Sequence, residues 1–513
     1  MSPAPESSPL AACMAQRAEQ HGAQRAITFR GDERQPEQAL AYDAAQFWSR
    51  VERVTAHLQA RWQVQPGDRL AWLGLNHELQ LVTLFACARL GAVFMPLNYR
   101  LALPELQHML ADAQPRLLVH DSLHAPVVAH LQRPEQACTH AHALVETPAP
   151  RGWPLPQVTG EAPVLWVYTS GTSGQPKGAL HTQNNLLANA RASQAAHGFV
   201  AGDSVLSTLP LFHVGGLCIQ TLPALLAGVP VVLHARFDAG AWLGEVQSSQ
   251  VSLSLLVPAT LRAVLDHPDW PTAPLASLRG VMTGSSTIPH AYLQAFHNRG
   301  IPVGQIYGTT ETGPVSIVLP LDRAMDKVGC AGWPQPEAQV ALRDAQGQDV
   351  AQGQTGEVWL RAPNVMRGYW QADGAAGVGL QDGWFGTGDL GQQDPDACMR
   401  IVGRSKDMII SGGENIYPAE IENLLATLAG VAECAVIGLP NERWGEVPVA
   451  VLVRSPDAAG QGLQEEAVMR HLQSQIARFK WPRRVVWLPS LPKSALGKVQ
   501  KPALQALLSG ENP

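Results

Sequence analysis

Lysine is scarce in this chain. Of 37 basic residues seven are lysines, at positions 177, 327, 406, 480, 493, 498 and 501. Arginine carries the ordinary surface charge, so a retained lysine marks a place where a compact ammonium on a flexible stem suits better than a planar fork. Charge runs are missing too: no five like charges occur in a row and the net charge is −6. That speaks against a general binder of nucleic acid or acidic membrane, which shows a basic face. No apolar stretch approaches the roughly 20 residues of a membrane span; Leu222–Leu233, among the longest, is broken by Pro223, Gly228 and Pro230. The seven cysteines form no Cys-x-x-Cys pair and are odd in number. A disulfide framework or structural zinc site is therefore not expected, and a reducing compartment is. Residues 1–17 place Glu6 before any positive charge and lack an apolar core, unlike a secretory signal. The expectation is a cytoplasmic protein without a membrane span.

What is present is apolar content and length, 46% hydrophobic over 513 residues. That excludes disorder and is too long for one simple domain of about 100–200 residues. Phe47, Val51, Val54, Leu58 and Trp62 fall at helical spacing, and residues 78–91 read as a buried helix ended by Gly91. Strands are predicted at 92–97, 116–120, 164–170, 204–210, 229–235, 251–259, 278–284 and 303–308. Helices fall between them, from about Asn184, at 216–227 and at 259–265. Short β-branched runs alternating with helices predict a doubly wound α/β architecture, whose ligands sit at the carboxyl ends of the strands. Beyond about residue 330 the strands become short and are divided by Gly, Pro and Asp. Near residue 403 the texture changes again, with a helix from Pro418 to about Leu428 and another at 464–478 among strands. The reading is a large N-terminal α/β domain, residues 1–404, built of doubly wound sheets plus a small β region. A smaller, mobile α+β domain, residues 405–513, follows it across a hinge.

Five segments carry chemistry. Tyr168-Thr-Ser-Gly-Thr-Ser-Gly-Gln-Pro-Lys-Gly178 places three glycines, four hydroxyls and a lysine between a strand and a helix. Glycine lets successive N–H groups converge on an anion. The P-loop rule fails, because Pro176 precedes Lys177 and Gly178 follows it. Tyr307-Gly308-Thr309-Thr310-Glu311 combines an aromatic, hydroxyls and a carboxylate suited to a base, a phosphate and a cation. Asp389, within Gly383–Leu390, offers a carboxylate for ribose hydroxyls, though Asp in a Gly turn also caps locally. Residues 403–422 span the texture change and include Arg404, Lys406, Gly412 and Gly413. Pro492–Lys501 is a basic tail centred on Lys498.

In this order and at these separations the five segments strongly resemble the adenylate-forming superfamily, which holds acyl-CoA synthetases, peptide-synthetase adenylation domains and firefly-type luciferases. The resemblance runs from the helices near residue 44 to Lys501. It implies that residues 169–178, with Thr169, Ser170, Gly171, Thr172, Ser173, Gly174 and Lys177, hold the β- and γ-phosphates of ATP. Gly284, Ser285 and Ser286 with Tyr307 match the adenine and acyl-site walls. Thr172 and Glu311 match the Mg2+ contacts, and Thr310 the α-phosphate contact. Asp389 and Arg404 match the ribose binders, and Lys406 the hinge. Lys498 matches the lysine that reaches the α-phosphate and carboxylate. Leu209-Pro-Leu-Phe-His213 resembles the segment whose histidine lines the acyl pocket. Gly412 and Gly413 would let the coenzyme A arm pass close to the backbone. Two departures are local: Asp396-Ala-Cys-Met-Arg400 stands where the family has Gly and an aromatic, and Gly284-Ser-Ser-Thr287 replaces the commoner glycine- and alanine-rich adenine segment.

The implied reaction activates a carboxylate as acyl-AMP, releases pyrophosphate and passes the acyl group to the thiol of coenzyme A. Two anions meet in it, so catalysis rests on positioning and charge neutralisation. The pocket candidates His213, Gly215, Gly216, Val257, Pro258, Met282, Thr283 and Val315 favour a medium-chain fatty or aromatic acid, with Gly215 and Gly216 leaving depth for it. The rivals are an adenylation enzyme loading an acyl or amino acid onto a carrier protein, a luciferase-type oxygenase and a non-catalytic nucleotide binder. An amino-acid enzyme would place an Asp where this chain has Phe212-His213; Asp238 comes well past it. Dimers are common in the family, and no segment here specifies one.

Overall fold

The structure is a computed structural model that describes residues 7–31, 39–131, 137–145, 154–170, 176–284, 288–370, 379–411, 414–441, 444–473, 475–494 and 497–509. Two large sheets form the N-terminal part. In the nine-stranded sheet, six parallel strands lie in the order Val303–Tyr307, Gly280–Gly284, Leu253–Leu256, Val205–Ser207, Val231–His234 and Arg25–Arg30. Antiparallel strands flank them, Ile317–Leu319 and Trp333–Pro334 on one side and Ala39–Asp43 on the other. The seven-stranded sheet runs Gly368–Tyr369, Pro176–Thr182, Pro163–Ser170, Val93–Leu97, Arg69–Leu73, Leu117–His120 and Ala137–His140. Its last five strands are parallel and the first two join antiparallel.

Helices Pro9–His21, Ala44–Trp62, Glu78–Leu90 and Gln183–His197 pack between the sheets. One core joins Ile27, Phe29, Val231 and Leu233 of the first sheet to Trp72, Phe94, Val119 and Leu165 of the second. Glu78–Leu90 touches neighbours on every side and is apolar nearly all round, as a central helix must be. Asp43 and Gln46 form a capping box at the start of Ala44–Trp62, and Gly91 ends Glu78–Leu90 at φ +65°. Helices Ala239–Ser248, Pro258–Leu265 and His290–His297 cover the outer face of the nine-stranded sheet. Leu103–Ala113 and Ala125–Leu131 cover that of the other. The doubly wound reading holds.

A four-stranded antiparallel sheet, Gln339–Arg343, Gly356–Arg361, Phe385–Gln393 and Met399–Arg404, is the small β region. The C-terminal part is α+β. Strands Glu414–Ile416, Ile409–Ser411, Gly445–Arg454 and Val431–Asn441 pair in that order, with Arg484–Trp487 also on Gly445–Arg454. Helices Pro418–Leu425, Glu465–Gln473 and Lys501–Ser509 pack on this sheet. The expected helix at 464–478 is shorter than its apolar spacing implies, and Arg478–Lys480 is a separate 3-10 turn. No helix among the described residues is long and apolar enough to cross a membrane. None of the seven cysteines forms a disulfide among the described residues.

Candidate active site

Two of the expected segments meet where strands of the two large sheets end. The strands on either side of the undescribed middle of segment 168–178, Pro163–Ser170 and Pro176–Thr182, pair antiparallel, so a strand rather than a helix follows it. The helix begins only at Gln183, capped by Thr182. Pro176–Thr182 pairs along its length with Pro163–Ser170 and on its other edge with Gly368–Tyr369. Gly178 is needed there, because a Cβ would come within 2.1 Å of the Trp166 Nε1. Gly171, Thr172, Ser173 and Gly174 lie outside the described residues, as do Ser285, Ser286, Gly412 and Gly413.

The turn after Val303–Tyr307 is held from several sides. Thr309 N–H donates to the Thr312 hydroxyl (2.8 Å), and Asn364 donates to the Gly313 carbonyl (2.7 Å). A Cβ on Gly308 would meet the Pro314 carbonyl at 2.4 Å, and one on Gly284 the Ile306 carbonyl at 2.4 Å. Glu311 is thereby aimed back at the hairpin. Its Oε1 accepts from the Thr169 hydroxyl (3.1 Å) and from the Tyr369 hydroxyl (2.8 Å). The Lys177 ammonium lies 5.4 Å from the centre of the Tyr369 ring. Tyr369 joins Thr169, Lys177 and Glu311 yet belongs to none of the five segments. Its only trace in the sequence is a glycine followed by aromatics at 368–370. Thr310 is buried, and behind it His181 is held neutral, its imidazole pushed down to about 4 by burial.

A second cluster forms on the small sheet, where register sets Asp389 opposite Arg404. Asp389 Oδ1 pairs with Arg404 Nε (2.9 Å), and Oδ2 accepts from the Tyr307 hydroxyl (2.9 Å). Burial first, then the Asp389 charge, raises the Tyr307 phenol well above its usual range, so it stays a donor. The Asp389 carboxylate is thus fixed in direction.

Lys498 arrives from the far end of the chain. The Ser494–Lys498 turn closes by Ser494 N–H to the Lys498 carbonyl (2.7 Å), and Gly497, at φ +77°, backs onto Ala259 so closely that a Cβ would meet that methyl at 2.9 Å. The Lys498 side chain remains partly open to solvent, while its ammonium shares the field of Arg404, Asp389, Asp407 and Lys406. Desolvation in the cleft and the positive charges of Arg404 and Lys406 lower its pKa, partly offset by Asp389 and Asp407. Its charge also reaches His213, whose imidazole is pushed down to about 4 chiefly by burial. His213 Nδ1 accepts the Gly215 N–H (2.9 Å).

The expected pocket residues divide. Val257, Met282 and Val315 share one apolar cluster with Leu209, Ile219 and Leu255. Thr283 does not join them. Alternation along the strand puts it with Val281 and Leu256, on the face covered by the outer helices. Gly216 does not leave depth either: a Cβ there would lie 2.2 Å from the Pro210 carbonyl oxygen and 2.7 Å from that of Leu209. Backbone cannot yield to it, so Gly216→Ala is expected to destabilise the fold by about 2 kcal/mol or more, read by urea unfolding.

The whole chain compares closely with known proteins. Residues 14–370 match the model for "AMP-binding enzyme" and residues 420–498 that for "AMP-binding enzyme C-terminal domain". The chain belongs to the AMP-binding enzyme family. Among members of the family it is 45% identical to an indoleacetate–CoA ligase of Aromatoleum aromaticum, over 92% of this chain and 94% of that one. It is 40% identical to a feruloyl-CoA synthase of an Amycolatopsis species, over 90% and 93%. The o-succinylbenzoate coenzyme A synthetase of Bacillus subtilis, solved with its acyl-adenylate intermediate, superposes with a TM-score of 0.84 at 30% identity, covering 96% and 97%. The same synthetase solved with ATP and a magnesium ion gives 0.83 at 30%, covering 96% and 98%.

One departure from the family pattern, at Asp396–Arg400, has a local setting; the other, at 285–287, lies outside the described residues. Ala397 adopts φ +63°, the left-handed region glycine prefers, and Asp396 before it is held twice, by its ion pair with Lys327 and by Trp333 Nε1 donating to its carbonyl (3.0 Å). Asp238 is no pocket residue: its carboxylate caps helix Ala239–Ser248 by accepting the Ala241 N–H (2.8 Å).

Proposed function

We propose that this enzyme is an AMP-forming ligase that joins an aromatic carboxylic acid to coenzyme A. A carboxylate oxygen of the acid attacks the α-phosphorus of ATP, the bond to the bridging oxygen breaks, and pyrophosphate leaves. The thiol sulfur then attacks the acyl carbon of the acyl-AMP, AMP leaves and the thiol proton goes to solvent. The observations that carry the reading are the Tyr307–Asp389–Arg404 cluster and the seating of Gly497, next to Lys498, on Ala259 of the N-terminal part.

In this reading ATP enters as its magnesium complex. The segment 169–178, with Lys177, holds the β- and γ-phosphates. Glu311 and Thr172 contact the metal; a carboxylate and hydroxyls are the hard oxygen donors magnesium takes when phosphates supply its other ligands. Thr310 lies at the α-phosphate, Tyr307 and Gly284–Ser286 line the adenine, and Asp389 and Arg404 take the ribose. Lys498 bridges the α-phosphate and the attacking carboxylate, where negative charge accumulates. His213, neutral, walls the acyl side without adding charge. The two moving parts divide between residues 404 and 405, where the small sheet ends, and turn about Lys406. The turn withdraws Lys498 and brings Gly412 and Gly413 to the path of coenzyme A.

An aromatic acid is favoured over a fatty one. The supporting observations are the two relatives named above, an indoleacetate–CoA ligase and a feruloyl-CoA synthase, and the apolar wall of Val257, Met282 and Val315. The test is a panel of arylacetic, hydroxycinnamic, straight-chain fatty and amino acids, scored by pyrophosphate release and by thioester formation. Aromatic acids are expected to lead octanoate by about tenfold or more in kcat/KM, the scale on which pocket shape discriminates. A lead for fatty acids, or acyl transfer to a carrier protein but not to coenzyme A, would reject the reading.

A further inference from the structure

Helix Pro258–Leu265 starts at the acyl wall. Val257, which shares the apolar cluster with Met282 and Val315, is the residue before its first turn. That start is stiff. The Val257 N–H donates to the Thr260 hydroxyl (2.8 Å), and the Thr260 hydroxyl donates back to the Val257 carbonyl (2.9 Å). The Leu261 N–H donates to the same carbonyl (2.8 Å), and the ring of Pro258 fixes its own φ. Ala259 is therefore held from both sides. It stands exposed at the surface, with no side chain beyond a methyl.

Against one side of that methyl rests the turn bearing Lys498. Gly497 comes so close that a Cβ on it would lie 2.9 Å from the Ala259 methyl. The turn is stiff too. Gly497 N–H donates to the Ser494 carbonyl (2.8 Å), Lys498 N–H to the Ser494 hydroxyl (3.2 Å) and Gln500 N–H to the Pro492 carbonyl (2.9 Å). On its flanks Lys493 pairs with Glu433 (2.7 Å) and Lys501 with Glu422 (2.7 Å), which ties the turn to the body of the C-terminal part. The two parts approach at a second place. Tyr292, on helix His290–His297 with the Arg262 guanidinium 6.0 Å from its ring centre, lies in the field of Cys434 on strand Val431–Asn441. Two unyielding pieces thus meet with an alanine methyl against a glycine, and packed backbone does not give way to added carbon.

We propose that Ala259 is a positioning residue for the adenylation half-reaction: its methyl is the seat on which Gly497 comes to rest, and its small size sets how far Lys498 advances into the cleft. Ala259 acts through Lys498 and takes no part in the chemistry itself. When the C-terminal part turns for the thioester step, Lys498 withdraws and the seat is vacated, so the size of residue 259 ceases to matter. The wall at Val257 and the stop at Ala259 belong to one capped turn, which fixes the distance between the acyl side of the cleft and the arriving ammonium. The proposal rests on the ligase reading above and deepens it.

The experiment measures both half-reactions of the full-length enzyme in single turnover, with the acid of the panel above that the wild type activates fastest. The variants are Ala259→Ser, Ala259→Ile and Ala259→Trp. Adenylation, read by pyrophosphate release, should stay within about threefold for Ala259→Ser and fall by about 10- to 100-fold for the other two, the scale of a misplacement near 1 Å. A β-branched side chain leaves few rotamers that clear the turn. Thioester formation from supplied acyl-AMP should stay within about threefold of wild type in all three, because Lys498 is then withdrawn. In the double variant Lys498→Ala/Ala259→Ile the loss should be no greater than in Lys498→Ala alone, since an absent ammonium cannot be misplaced. Urea unfolding checks each variant, and Ala259→Val replaces Ala259→Ile if the latter is destabilised. Wild-type adenylation in Ala259→Ile and Ala259→Trp, equal losses in both half-reactions of a stably folded variant, or losses that multiply in the double variant overturn the proposal while leaving the ligase reading standing. A wild type that releases pyrophosphate with no acid of the panel removes the ligase reading itself, and the proposal with it.

Discussion

Lys498→Ala is expected to lower acyl-AMP formation by about a thousandfold while thioester formation from supplied acyl-AMP keeps most of its rate. In the first half-reaction an anionic carboxylate approaches a polyanionic phosphate, and an ammonium beside the attacked phosphorus offsets charge that grows in the transition state. In the second, a thiol attacks an uncharged acyl carbon and AMP leaves with no such need. The pH dependence follows from the same group. Its surroundings lower the Lys498 pKa, so the ammonium is lost at a lower pH than that of an ordinary lysine, near 10.4. Adenylation should therefore fall on the alkaline side before an unperturbed lysine titrates, and the thioester step should lack that limb. Single-turnover assays of the two half-reactions against pH check both points. Equal losses in both half-reactions would show that Lys498 holds the domains in place rather than serving the phosphate.

Glu311→Gln is expected to cut adenylation by roughly a hundredfold and to raise the magnesium concentration needed for half-maximal rate. The substitution separates two roles. A glutamine carbonyl can still accept the Thr169 and Tyr369 hydroxyl protons that Glu311 Oε1 accepts, so the scaffold between hairpin and turn is retained. What disappears is the negative charge. Pyrophosphate release measured over a magnesium series, beside urea unfolding of the same variant, distinguishes them. Wild-type rate and wild-type magnesium dependence in Glu311→Gln would remove Glu311 from the metal site. A loss of stability with unchanged magnesium dependence would make it a structural linchpin.

Much of this site was legible because its parts are local. Tyr168–Gly178 and Tyr307–Glu311 each concentrate glycines, hydroxyls and a charge within a few residues, and scarcity singled out Lys177 and Lys498. Where the reading failed, a long-range contact had decided the outcome. Strand Pro176–Thr182 pairs with Pro163–Ser170 on one edge and Gly368–Tyr369 on the other, and nothing within 176–182 announces either partner. Gly216 looked like room for a substrate, and its missing Cβ is occupied by the backbone of Leu209 and Pro210. Thr283 adjoins Met282 in sequence yet faces the opposite side of the sheet.

The sequence by itself determined the alternation of strands and helices, the family and the chemical types gathered at the site, because periodicity, turn residues and motif spacing are properties of short segments. Only the tertiary structure decided that Tyr369 holds Glu311, that Tyr307 and Arg404 orient Asp389, and that Gly497 seats on Ala259 beside Lys498. Those relations join residues dozens to hundreds of positions apart. They depend on strand register, on which face of a sheet is covered and on how the two parts of the chain meet, and no local pattern encodes any of the three.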